Sequence, residues 1–459
     1  MDQYRQCQLR GCGAASEMYS PLGHTATRAS KLNTIKSWWL LLTLFLAFLL
    51  VMFLNLSNSQ IIVSPSIKPL AQINDGYFFI TDALHNNIST KALDISSERA
   101  DSSAVLSSCS KPITKVGFMK THKTASSTVQ NIIMRYGMRS EWNFAMYGEG
   151  SHLGPPSQQY KLTRSFTASW LERVPWAEMV HQQGGYNVFA LHTKWDQSEV
   201  ERVLGRGTAR YFTILRDPVA EFESLYNYAH FDKVFHMNLE SFIHTFIGGG
   251  RRIQRVNSYL GRNQQLWDLG LGVRDLTNQQ AVREKIQELE LGLDLVMLAE
   301  QFDTSLVLLA DTLCWPLYNM TSLKLNARKG SAIEKLSPQA AGILKDWLWA
   351  DYMLYDHFKL EFERKKTLYG LPKLQENVNK LNEYNEKVKR ECVLEVVKDT
   401  NKLSEDFIPW SKDVMGFRVD EGKDYCKYFG ISELHFIDKL RELQLERLLH
   451  WRANNSGSH

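Results

Sequence analysis

Residues 120–128 read Lys120-Thr121-His122-Lys123-Thr124-Ala125-Ser126-Ser127-Thr128, placing two lysines, a histidine and five hydroxyls within nine positions. This is a donor set suited to a multiply charged oxyanion such as a phosphate or a sulfate. The ammonium groups supply charge, and the hydroxyls supply short, adjustable hydrogen bonds. A polar loop whose serines and threonines merely cap a helix would have the same composition. A nucleoside-triphosphatase loop would not. The pattern G-x-x-x-x-G-K-[ST] needs glycines so that its backbone can wrap phosphates, and none occurs between Lys120 and Thr128.

The flanking residues say how the loop is held. Residues 114–119 form a short apolar run that predicts a strand. Beyond the loop, Val129, Ile132, Ile133 and Tyr136 recur at the spacing of one helix face, and Gly137 should end that helix. A strand leading through a loop into a helix N-terminus aims free N–H groups and the positive end of the helix dipole at a ligand. A second such unit begins with the run at residues 211–215. Arg216-Asp217-Pro218 follows it, with Asp217 suited to an N-cap and Pro218 to the first helical position. A helix through Val219, Phe222 and Tyr226 should come next. Residues 186–191 predict a third strand ending at His192, and residues 293–298 a fourth, with a packed helix over residues 305–313. Strands alternating with helices imply an α/β fold with a central parallel sheet flanked by helices. Ligands in such sheets bind past the carboxyl ends of the strands, where Lys120, His192 and Arg216 all stand. The charged stretch at residues 359–399 reads as helical and residues 434–451 as a terminal amphipathic helix, each with a solvated face.

The loop with its preceding Phe118-Met119 closely resembles the 5′-phosphosulfate loop of Golgi galactose 3-O-sulfotransferases, the family that includes galactosylceramide (cerebroside) sulfotransferase. Ile214-Leu215-Arg216-Asp217-Pro218, with Phe222 and Ser224, is similar to that family's 3′-phosphate motif. Phe302-Asp303-x-Ser305-Leu306, Leu313-Cys314-Trp315 and Lys324-Leu325-Asn326-Ala327-Arg328 also look like family sequence. The likeness covers residues 112–328 and weakens beyond them. It implies a P-loop-like sulfotransferase fold and the donor 3′-phosphoadenosine 5′-phosphosulfate (PAPS), with no metal. Lys120, Thr121, His122, Lys123, Thr124, Ala125, Ser126, Ser127 and Thr128 would hold the phosphosulfate. Arg216 and Ser224 would take the 3′-phosphate, and Arg328 would cover the nucleotide. The implied acceptor is the 3-hydroxyl of a terminal β-galactose, on galactosylceramide or a related glycolipid. A glycoprotein glycan is the close alternative. A sugar hydroxyl is a weak nucleophile until a base takes its proton. His192 is the expected base, standing at a strand end as the corresponding histidine does in the family; His122 is its rival, and Lys123 would stabilise charge on the leaving oxygen. A catalytically inactive, membrane-tethered glycan-binding homologue is the non-enzymatic alternative. The intact Lys120, Lys123, His192 and Arg216 argue against it.

The rest of the chain sets topology. Residues 38–56 are an uncharged apolar run long enough to cross a bilayer. Arg28, Lys31 and Lys36 precede it, and no Lys or Arg follows before Lys68, which puts residues 1–37 in the cytosol as the tail of an uncleaved signal anchor. Residues 57–111, rich in Ser and Asn, read as a lumenal stem, and residues 112–459 as the sulfotransferase domain with a helical C-terminal part. The expectation is a single-pass type II Golgi membrane protein, with a homodimer left open. Cys109, Cys314, Cys392 and Cys426 fall on the oxidising side and permit two disulfides in three pairings, whereas Cys7 and Cys12 are cytosolic. Asn87, Asn319 and Asn454 begin glycosylation triplets. A formal net charge of +4 on 459 residues is too small to suggest a nucleic-acid surface.

Overall fold

The computed structural model describes residues 111–156, 162, 164–251, 255–256, 260–325, 335–397 and 414–455. The apolar run at residues 38–56, the stem up to residue 110, Cys7, Cys12, Cys109, Asn87 and Arg328 lie outside the described residues. Among the described residues no helix is long and apolar enough to cross a membrane.

Strand β1 (Val116–Met119) runs through the loop into helix α1 (Ser126–Arg139). The chain then passes through α2 (Ala177–Gln182), β2 (Val188–Phe189), α3 (Gln197–Leu204), β3 (Arg210–Leu215) and α4 (Pro218–Tyr228). An insertion follows, with helices α5 (Phe231–Phe235) and α6 (Leu239–Phe242), a π-helical turn at Ile243–Ile247, and an antiparallel ribbon of β4 (Arg255–Val256) and β5 (Leu260–Gly261). It ends in the five-residue helix α7 (Gln264–Asp268) and α8 (Gln279–Gly292). Strand β6 (Leu295–Leu298) and α9 (Phe302–Leu313) complete the α/β body. Helices α10 (Pro338–Trp347), α11 (Trp349–Tyr369) and α12 (Leu371–Cys392), the antiparallel pair β7 (Val393–Val397) and β8 (Gly416–Val419), and α13 (Glu433–Asn455) close the chain.

The sheet order is β2-β1-β3-β6, and every pair is parallel. Helices cover both faces, so the strands are continuous apolar runs rather than alternating ones. Val116, Phe118, Phe212 and Ile214 have no exposed surface. Thr213, the one polar residue inside β3, donates from its hydroxyl to the Met119 carbonyl at 2.8 Å and so satisfies itself where β1 ends. Asp217 caps α4 by accepting from the Ala220 amide at 3.0 Å, with Pro218 at the first position.

Two expectations change. Gly137 does not end α1, which continues to Arg139. A Cβ at Gly137 would stand 2.8 Å from the Phe144 ring, so the glycine is there for close packing. The charged stretch from residue 359 is helical only as far as Cys392, after which Val393–Val397 form β7; α13 is amphipathic as expected, with Phe436, Ile437, Leu440 and Leu448 in the main core.

Candidate active site

The loop after β1 turns tightly without glycine. Lys123 and Ala125 both adopt the left-handed region, at φ 57° and 66°. Such backbone is uncommon for residues with a Cβ and persists only where surrounding structure enforces it. Here the loop's own hydroxyls do so. Thr121 Oγ1 donates to the Ile214 carbonyl at 2.7 Å and lies 2.7 Å from Thr124 Oγ1. Ser126 Oγ donates back to the Thr121 carbonyl at 2.6 Å. Thr121, Thr124, Ser126 and Thr128 are buried. Much of the hydroxyl content that marked the loop in the sequence therefore shapes the loop itself.

Lys120 is 3% exposed, and its ammonium is held in place by neighbouring side chains. It donates to Ser127 Oγ at 3.0 Å and pairs with Glu433 Oε2 at 3.2 Å. Burial lowers its pKa against the pull of Glu433. Ser127 donates to the same carboxylate oxygen at 3.0 Å. Glu433 opens α13, so the last helix supplies a counter-charge to the first loop. The Lys123 ammonium lies 4.2 Å from the centre of the Tyr228 ring. Arg216 leans across the sheet edge and donates from Nη1 to the Lys123 carbonyl at 3.1 Å. Ser224 is buried two turns into α4.

Three histidines stack at the same edge. The rings of His122 and His192 are 4.3 Å apart, and those of His192 and His152 are 5.4 Å apart. Asp268 grips His122 twice: the backbone amide donates to Oδ2 at 2.7 Å, and ring Nδ1 lies 2.8 Å from the same oxygen. His192 differs. It is half-buried, and its Nδ1 has no hydrogen-bond partner among the described residues. Burial, then the charges of Lys120, His122 and His152, drive its pKa well below the usual range. Burial and His122 likewise push His152 down to about 4.

Sequence reasoning missed helix α7, whose five residues are all buried. Its Gln265 side chain clamps the Arg216 backbone, accepting from the amide and donating to the carbonyl, both at 2.9 Å. Gln264 donates to Asp268 Oδ1 at 2.8 Å. The α7 N-terminus rests on Asp351 of α11, which accepts from the Gln265 and Leu266 amides at 3.1 and 2.9 Å. Burial raises the Asp351 pKa to about 7 despite those bonds. One short helix thus positions Arg216 at one end and His122 at the other. Its only signal in the sequence is a pair of glutamines and an aspartate inside an otherwise apolar run that stops at Gly270. Glu221 of α4 was also missed. It is fully buried, neither carboxyl oxygen has a partner among the described residues, and burial followed by Asp351 and Asp268 raises its pKa far above the carboxylate range.

Among the other expected sites, Asn319 is 5% exposed, and its Oδ1 accepts from Arg139 at 2.9 Å, unlike the exposed loop asparagine a glycan usually requires. Asn454 is exposed on the last turn of α13. Cys392 and Cys426 form a disulfide, and Cys314 is also disulfide-bonded.

Comparison with known proteins agrees with this geometry. The chain is 28% identical over 352 residues to human galactose-3-O-sulfotransferase 2, covering 72% of this chain and 84% of the relative. It is 29% identical over 353 residues to mouse galactosylceramide sulfotransferase, covering 72% and 78%. It is 30% identical over 359 residues to bovine galactose-3-O-sulfotransferase 3, covering 72% and 79%. The model of the galactose-3-O-sulfotransferase family matches residues 75–444, which takes in the loop, the histidine stack, α7 and Glu433. The chain belongs to the galactose-3-O-sulfotransferase family.

Proposed function

We propose that this sulfotransferase moves a sulfuryl group from PAPS to the 3-hydroxyl of a terminal β-galactose, in line and without a covalent intermediate. The observation that carries the reading is the pairing of adjacent loop residues: an ammonium at Lys120 held by Glu433 and an imidazole at His122 held by Asp268. The strand–loop–helix unit then acts as the sulfotransferase version of a P-loop. Lys120, Lys123 and the first amides of α1 bind the phosphosulfate, and Arg216 with Ser224 binds the 3′-phosphate. PAPS supplies an activated sulfuryl group. The acceptor oxygen bonds to sulfur, the bond from sulfur to the bridging phosphate oxygen breaks, and the lysines balance charge on that oxygen.

In this reading the base is His122 rather than His192. A base needs an orienting partner and access to the proton. Asp268 fixes His122 through Nδ1 and would stabilise the imidazolium once formed. Among the described residues His192 has no carboxylate partner, and its surroundings oppose charge. We assign it to packing against His122 and steering the sugar.

The favoured acceptor is galactosylceramide or a related glycolipid, with a glycoprotein glycan as the alternative. The family assignment and the uncharged run at residues 38–56 support a type II Golgi membrane protein with its domain in the lumen. The test is transfer of labelled sulfate from PAPS to a panel of β-galactosides by the full chain in detergent, beside His122→Ala and His192→Ala. Transfer lost in His122→Ala and merely weakened in His192→Ala is expected. Absence of transfer to every galactoside refutes the activity, and the reverse ranking returns the base to His192.

A further inference from the structure

One buried cation takes no part in the scheme above. Lys194 lies two residues after His192 on the extended segment beyond β2. It is 8% exposed; its carbonyl accepts from the Phe166 amide at 2.8 Å, but its ammonium has no hydrogen bond or ion pair with any described residue. Its ammonium sits 4.2 Å from the centre of the Trp267 ring. The Arg255 guanidinium lies 4.2 Å from the same ring, fixed by Gln264 Oε1 and the Arg262 carbonyl, both at 2.8 Å. Trp267 is 4% exposed, and its indole Nε1–H has no acceptor among the described residues. The ring thus carries an ammonium over its face and an unsatisfied N–H on its edge. An aromatic face only partly replaces the hydration an ammonium loses on burial. The surroundings deepen the need. After burial itself, Arg255 and Lys285 bear hardest on Lys194, Asp275 opposes them, and the lysine's pKa falls to about 8. The missing component is an anion.

Position says which molecule brings it. Helix α7 spans the site, with Gln265 at Arg216 and Asp268 at His122. Trp195, next to Lys194, donates its amide to the Asp268 carbonyl at 2.9 Å. In the sheet, β2 and β3 flank β1 on opposite sides. Arg216 follows β3, whereas Lys194 follows β2. The nucleotide end and Lys194 therefore lie on opposite sides of the transfer centre.

We propose that Lys194 and the indole N–H of Trp267 form an anion subsite at the acceptor end, which takes a carboxylate or sulfate carried by the galactose-containing acceptor. This rests on the sulfotransferase reading above. It adds to the galactosides of that reading a preference for acidic ones, with the charge on a sugar next to the reacting galactose or elsewhere on its ring.

The experiment compares a neutral lactoside with the same lactoside bearing either a uronic-acid carboxylate or a sulfate ester. Initial rates with labelled PAPS, and acceptor binding to the full chain loaded with 3′,5′-ADP, are measured for wild type, Lys194→Met and Lys194→Arg. Wild type should favour at least one acidic acceptor by about tenfold, through acceptor KM, as a charged hydrogen bond is worth. Lys194→Met should collapse that ratio toward one, and Lys194→Arg should keep it. Whichever acidic lactoside is favoured identifies the anion. A ratio near one in wild type, a ratio untouched by Lys194→Met, or a rise confined to the donor KM of Lys194→Met overturns the subsite. Transfer to the neutral lactoside tests the underlying activity separately. If nothing is sulfated, the acidic-to-neutral binding ratio still decides the subsite, and wild type with Lys194→Arg suffices if the methionine variant does not fold.

Discussion

Replacing Asp268 by Asn should cost the reaction far more than it costs the fold. The carboxylate is an acceptor at every contact: the His122 amide, His122 Nδ1 and Gln264 Nε2 converge on its two oxygens at 2.7–2.9 Å. An amide keeps one oxygen and turns its own N–H₂ against one of those donors. It also cannot stabilise an imidazolium by charge. A hydrogen bond to a charged group contributes about 1.5–3 kcal/mol net. At about 1.4 kcal/mol per decade of rate, kcat should fall roughly 10- to 150-fold. The assay is initial-rate sulfation of a β-galactoside with labelled PAPS, with 3′,5′-ADP affinity and thermal midpoint measured on the same samples. The loss should fall in kcat, with nucleotide affinity changed less than about threefold, because α7 holds Arg216 through Gln265 rather than through Asp268. A loss of kcat under threefold, or one lying wholly in donor KM, would refute the assignment of His122. So would a larger loss in His192→Ala than in Asp268→Asn.

Asp351 predicts a pH signature. Its folded pKa of about 7 exceeds the ordinary aspartate value, so its contribution to stability is complete in acid, declines by about 1.4 kcal/mol per pH unit as pH rises toward 7, and is flat above. The stability of wild type relative to Asp351→Asn, measured by denaturant unfolding from pH 5 to 8.5, should fall and then level off; parallel curves would refute it. Gly270 ends α7 at φ +104°, and a Cβ there would stand 2.4 Å from the Trp195 carbonyl oxygen. Gly270→Ala should destabilise by roughly 1–3 kcal/mol and lower kcat as Asp268 shifts, which thermal melts and rates would show. The Cys392–Cys426 disulfide closes a 34-residue separation, so Cys392→Ser with Cys426→Ser should cost about 4 kcal/mol in chain entropy. An unchanged thermal midpoint would contradict that.

The anion loop was legible because its residues are contiguous and its flanks keep strand and helix periods. The parallel sheet was legible for the same reason, each strand being one apolar run. What supports the loop was not. Asp268 is 146 positions from His122, and Glu433 is 306 from Ser127. Each sits in a helix whose local pattern says only that it is partly polar. The difference between the two histidines was not legible either, because both stand at the same edge and, among the described residues, only His122 meets a carboxylate. Gly137 was misread because a helix stop and a tight side-chain crossing use the same residue. The loop's hydroxyls were read as ligands, although several face inward to hold a glycine-free turn that composition does not reveal.

Glu433 has a consequence for biosynthesis. Lys120 emerges from the ribosome more than three hundred residues before its counter-ion, so the lysine lacks that partner until α13 is made. The same helix brings Phe436, Ile437, Leu440 and Leu448 to the main core, so docking of α13 closes the core and pairs the loop lysine in one step.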